Sequence, residues 1–71
     1  MKITYSDFAD HACIWLNGPF WQLSKARRIA DAGLKVPSID SLESKGITFQ
    51  ITLYGKTDDV LLALKNILRA I

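Results

Sequence analysis

The side chains able to do covalent or metal chemistry are few. The chain has one histidine, His11, and one cysteine, Cys13. A zinc site needs three or four such ligands, and two residues two apart on a helix point in different directions. Cys13 has no partner for an internal disulfide. The carboxylates include two close pairs, Asp7 with Asp10 and Asp58 with Asp59. Each pair sits where a helix is predicted to begin, and the positive end of the helix dipole accounts for both without catalysis. There is no Gly-rich phosphate loop and no nucleophile–base pair at a recognisable spacing. A chain of 71 residues also has little volume for a water-excluding pocket. The expectation is a protein that is not an enzyme and uses no cofactor or metal.

Binding chemistry is better represented. Nine Lys/Arg against seven Asp/Glu give a net charge of +2, too small a bias to imply nucleic acid by itself. Lys25, Arg27, Arg28 and Lys35 are concentrated around a single Asp31, as a solvated helix face or as a surface for an acidic partner. Trp15, Phe20 and Trp21 flank Asn17-Gly18-Pro19. The expected place for Trp15 and Phe20 is the packed corner of a helical hairpin. Trp21 lies about 100° round a helix from Phe20, so both cannot face one narrow core. Trp is enriched among binding hot spots, which makes an exposed Trp21 the best anchor candidate.

These residues need elements to position them. Lys2–Tyr5 alternates as a short strand. Ser6 reads as an N-cap, and Phe8, Ala12 and Trp15 share one helical face, so Asp7–Leu16 is predicted as a helix. The alternative makes the wholly apolar run Ala12–Leu16 a buried strand. Pro19–Ala32 reads as a helix with Pro19 in its first turn and Gly33 as its stop. Asp40-Ser41-Leu42-Glu43 fits a capping box and predicts a short helix ending at Gly46, with Leu34–Val36 as a competing edge strand. Ile47–Tyr54 alternates through four full periods and is the clearest strand. Its polar face is Thr48, Gln50, Thr52 and Tyr54. Thr57 caps a last helix with Asp58 and Asp59 at its start and Lys65 and Arg69 towards its end. No internal repeat is visible in the residues.

The stretch Gly33–Glu43, with Ile39 and Leu42 three apart, resembles the bacterial and phage repressor family, in particular small Cro-like repressors. The resemblance covers roughly residues 1–54. It implies Gly33-Leu34 as the turn of a helix-turn-helix and Ser38–Lys45 as the helix that reads DNA. The chain departs from the pattern at Ile29, where a small residue usually lets the helices approach. Asp40 and Glu43 against Lys45 also make an acidic reading helix, and DNA affinity rests on neutralising phosphates.

The expected fold is therefore α+β in one domain, residues 1–71: a two- or three-stranded antiparallel sheet packed by three to four helices, in the order β-α-α-α-β-α. The expected function is stoichiometric steric blocking of a larger protein or nucleoprotein complex. In size and lack of chemistry the chain is similar to phage or mobile-element inhibitors such as anti-CRISPR proteins and antirepressors. The contact residues would be Trp21, Lys25, Arg27, Arg28, Thr48, Gln50, Thr52 and Tyr54. The alternative is a Cro-like DNA-binding regulator, although direct DNA binding is disfavoured by charge. A homodimer could form through a strand edge or the apolar face of the last helix. With no leader and no run of about 20 apolar residues, a cytoplasmic protein that does not engage membranes is expected.

Overall fold

Ala12, Ile14 and Leu16 are completely buried, while Cys13 and Trp15 between them are half-exposed. That period of two belongs to a strand. In the computed structural model, which describes residues 1–71, His11–Pro19 is strand β2. It pairs with β1 (Lys2–Phe8) across the turn Ala9-Asp10. The helix expected over Asp7–Leu16 is therefore a hairpin, and the buried-strand alternative for Ala12–Leu16 holds. A helix would put Ala12 and Trp15 on one side. Here they face opposite sides of the sheet: Ala12 points into the core, and Trp15 onto the open face, where neighbouring side chains half-bury it.

The chain continues through a 3-10 turn (Phe20–Gln22) into α1 (Leu23–Gly33), shorter than the expected Pro19–Ala32 helix at its start. β3 (Asp40–Lys45) and β4 (Thr48–Lys56) form a second hairpin, and α2 (Thr57–Ala70) follows directly. The capping-box segment is thus a strand. All six residues of β3 are exposed, so it shows no apolar alternation. Its backbone groups are satisfied by β4 instead of by a helical turn. The four strands lie in the order β1-β2-β4-β3, every neighbouring pair antiparallel. The architecture is β-β-α-β-β-α, with one four-stranded sheet and two α-helices, in place of the smaller sheet and three to four helices that the sequence suggests.

Both helices cover one face of the sheet. Ile14, Leu16, Phe49, Ile51 and Leu53 from the central strands meet Ala26, Ile29 and Ala30 of α1 and Val60, Ala63 and Ile67 of α2 in one core cluster. Gly33, on the inner face of α1, permits the closest approach: a Cβ there would lie 3.0 Å from side-chain carbons of both Ile67 and Leu53. The other face of the sheet is uncovered, and Thr4, Trp15, Thr52 and Leu42 form one row across it. No helix is long and apolar enough to cross a membrane.

The two β-β-α halves correspond at an offset of 37 residues through their inner strands and helices, as from Ala12 to Phe49, while the outer strands differ by one residue in register: Ala12 pairs with Asp7, and Phe49 with Lys45. Buried Ala12, Ile14 and Leu16 match buried Phe49, Ile51 and Leu53, and buried Ala26 and Ala30 match Ala63 and Ile67. Gly18 matches Gly55. The central pair Trp15↔Thr52 maps onto itself with the partners exchanged. So do two backbone hydrogen bonds: Phe20 N donates to Ile47 O at 3.2 Å, and Thr57 N to Asp10 O at 3.3 Å. The molecule is an internal pseudo-dimer about an axis through the middle of the sheet. The sequence hides this repeat because it keeps burial and loses residue identity.

Candidate partner-binding surface

The antiparallel sheet gathers the chain into two ends. At one, β2 leads through Pro19 into Phe20–Gln22, and the β3–β4 turn Gly46-Ile47 lies alongside, joined by the bond from Phe20 N to Ile47 O. Three apolar side chains project from this tip: Phe20 is 58 % exposed, Trp21 71 % and Ile47 89 %. The Phe20 and Trp21 rings meet edge to face, with centroids 5.4 Å apart, the arrangement favoured by aromatic quadrupoles. Met1, Lys2, Asn17, Gly18 and Thr48 line a shallow concavity at the same end. Lys2, Lys25 and Lys45 lie on the segments that frame the tip, and no carboxylate occurs in residues 1–2, 17–25 or 44–48.

The opposite end has the reverse character. Asp7, Asp10, Asp40, Asp58 and Asp59 account for five of the seven carboxylates. Three of them are tied into local structure. Asp7 accepts from the Ala9 amide at 2.9 Å, Asp10 lies 2.9 Å from His11 Nδ1, and Asp59 accepts from the Ser38 hydroxyl. The hydrogen bond with His11 holds the Asp10 carboxyl below its usual value. Thr57 Oγ1 donates to Ala9 O at 2.7 Å and locks the β1–β2 turn to the start of α2.

The expected contact residues divide into three groups. Trp21 stands at the tip, and Thr48 is beside it at the start of β4. Lys25 and Arg28 are exposed on α1. Arg27 is engaged: its Nε and Nη2 donate to the two Glu43 oxygens at 2.9 and 2.8 Å. That contact holds Glu43 below and Arg27 above their ordinary values. Gln50, Thr52 and Tyr54 point the other way, onto the uncovered sheet face with Trp15 and Leu42. The expected set therefore does not come together as one surface.

Phe20 and Ile47 belong to the surface and were expected inside. Ile47 shares its parity with buried Phe49 and Ile51, but it lies in the turn before β4 begins, where alternation no longer determines the side. Trp15 lies on the open sheet face, not in a helical corner. The proposed DNA-reading helix, Ser38–Lys45, is mostly β3, so the segment cannot enter a major groove as a helix. No three His, Cys, Asp or Glu side chains cluster in a metal-binding arrangement. Comparison of the chain with protein-family models, curated proteins and solved structures finds no match, so the functional reading rests on the surface itself.

Proposed function

We propose that this protein is a non-enzymatic binding protein that docks stoichiometrically on a larger partner through the Phe20–Trp21–Ile47 tip. One observation carries the reading. α1 has no acidic residue in its first turn, and the preceding 3-10 turn exposes two adjacent aromatic rings. The equivalent start of α2 has Asp58 and Asp59 in its first turn. The scaffold therefore tolerates ordinary helix-start chemistry at this position, and folding alone does not require aromatics there. Exposed apolar side chains that fold stability does not need are the usual mark of an interaction site.

The mechanism is steric. Trp21 and Ile47 fill apolar pockets on the partner, Lys2, Lys25 and Lys45 contact its rim, and the bulk of the domain covers what lies beneath. The format is that of small inhibitors that act by occupying a surface.

The test is a capture experiment with tagged wild type, Trp21→Ala and Ile47→Ser, followed by reconstitution with the captured partner. The expected result is a complex of fixed stoichiometry that either tip variant weakens by about thirtyfold or more, the size of a hot-spot loss. A partner held equally well by wild type and both tip variants would overturn the assignment. So would selective capture of naked duplex DNA.

A further inference from the structure

The cations of this chain are not spread evenly. Lys25, Arg28, Lys35, Lys65 and Arg69, five of the nine Lys/Arg, are exposed on the two helices or just past the end of α1. The helical period gives their directions. Arg28 lies about 160° round α1 from buried Ala26, and Arg69 about 180° round α2 from buried Val60. Both therefore stand on the side of the helices turned away from the sheet. Lys25 is seven residues from Ala32 and shares its side of α1. Lys35 and Arg69 come together where the helices meet, beside Ala32, Asn66 and Ala70. The carboxylates lie elsewhere. Asp31 shares a cleft with Arg27 and Glu43 on the β3 side. Asp58 and Asp59 are confined to the first turn of α2, and none follows from Val60 to Ile71. The two ion pairs of the chain are Asp10 with His11 and Arg27 with Glu43, so none of the five cations has a carboxylate partner.

Folding does not ask for this arrangement. The dipole accounts for Lys35 and Arg69, which are near helix C-termini. It disfavours Lys25 and Arg28, which are in the first half of α1. Lys25 with Arg28, and Lys65 with Arg69, are like charges three and four apart, a spacing that weakens a helix. The duplication adds a second observation. At the offset of 37 residues Arg28 corresponds to Lys65, and no other pair of equivalent exposed positions on the two helices holds a charge in both halves. The pseudo-two-fold thus keeps one cation on each side of its axis while the rest of the helix surface diverges.

We infer that this face of the helix pair rests on the phosphate backbone of a nucleic-acid duplex, as a sequence-independent contact. Three features select that occupant. Clustered cations without carboxylates are the electrostatic footprint of a polyanion. α1 and α2 contain no aromatic residue, so the face offers nothing on which the bases of a single strand could stack. Leu62, 52 % exposed, is the one large apolar side chain among the five cations; Leu61 and Leu68 lie round the helix on its flank. A protein partner would need an apolar centre there, and a phosphate backbone does not. Contacts of this kind have a Kd on the order of 10⁻⁴–10⁻⁶ M at physiological salt. That is too weak and too indifferent to sequence to be the selective capture of duplex that would displace the tip. The inference stands apart from the tip assignment, and the two contacts act together where the tip's partner is a nucleoprotein complex.

The test is fluorescence anisotropy of a labelled DNA duplex of about 20 base pairs, titrated with the full chain over a salt series, with circular dichroism as the check on folding. Wild type is expected to bind in the micromolar range at about 50 mM salt. The log–log slope against salt should lie between about −3 and −4.5, because five cations set its ceiling. Arg28→Gln and Arg69→Gln should each make the slope shallower by about one. Lys56→Gln removes a cation at the end of β4 instead and should leave the slope unchanged. Trp21→Ala should also leave it unchanged, which keeps this result separate from the fate of the tip. Absence of binding at about 50 mM salt would overturn the inference. So would a loss with Lys56→Gln as large as with Arg28→Gln, or tighter binding of a single strand of the same length. Displacement of the duplex by polyglutamate at equal charge concentration would assign the face to an acidic protein and overturn it as well.

Discussion

The two β-β-α halves share a backbone plan and differ in almost everything they show to solvent. In the second half, α2 starts on Thr57, Asp58 and Asp59, and Thr57 fastens the facing turn through Ala9 O. In the first half the same place holds Phe20, Trp21 and Gln22, with only the backbone bond to Ile47 in common. The outer faces of the helices are exchanged as well: leucines on α2, Ser24, Arg27 and Asp31 on α1. The central buried positions are matched because both halves must fill one core. The surfaces are free to diverge, so their differences mark what each half does beyond folding.

The largest effects should be the ones the halves share. Leu16 and Leu53 are equivalent, and both are completely buried. Leu→Ala at either should cost about 2–5 kcal/mol, enough to leave a small domain marginal or unfolded. Urea melts of the two variants should agree to within about 1 kcal/mol. A much larger gap would mean that the halves do not share the core equally.

A sharper contrast comes from Gly33 and its equivalent, Ala70. Gly33 is buried with less than ordinary contact space around it, whereas Ala70 is exposed. Gly33→Val should cost about 1–3 kcal/mol by overpacking, and Ala70→Val under about 0.5 kcal/mol. Equal losses in thermal or urea unfolding would place the close helix approach elsewhere.

Trp21→Asp copies the Asp58 chemistry onto the first half. A carboxylate in the 3-10 turn that leads into α1 lies near the positive end of the helix and should stabilise the fold by about 0.3–1 kcal/mol, while the same change abolishes partner binding at the tip. Stability and binding moving in opposite directions would separate a functional aromatic from a structural one. A variant that unfolds more easily would show that Trp21 supports the fold after all.

What was legible in the sequence follows how strongly a segment's burial imposes a period. β4 and α2 each have one clean apolar face, and their residues announce it. β2 is buried on one face and half-covered on the other, so Ala12–Leu16 is apolar throughout and its period disappears. β3 is an edge with no buried face, and Asp40-Ser41-Leu42-Glu43 spells a helix cap because nothing apolar contradicts it. Each misread segment lost a strand, and the smaller expected sheet followed. The angle between Phe20 and Trp21 on one helix was the argument for an exposed Trp21, but that premise fails: both rings are exposed, in a 3-10 turn before α1. The exposure of Ile47 was not legible, because whether it lies in strand or turn depends on where the β3–β4 pairing ends.

The smallest effect belongs to the bridged edge. Arg27 depresses the Glu43 carboxyl by hydrogen bonding. A carboxyl with a lowered folded-state pKa stabilises the fold above its unfolded value, and the contribution is lost as pH falls through the lowered one. Both partners keep substantial solvent contact, so the gain is slight and salt-sensitive. Wild type should exceed Glu43→Gln in stability near neutral pH, and the difference should close on acidification or at high salt. Asp10, also held low by its neighbour, is present in both proteins and cancels. At the other edge Leu64 stands where Arg27 does, so no ion pair ties β1 to its helix. On acidification the gap in amide-exchange protection factor between wild type and Glu43→Gln should therefore close at Asp40–Lys45 before any change at Lys2–Phe8. The reverse order would mean that β1, not β3, is the edge held by charge.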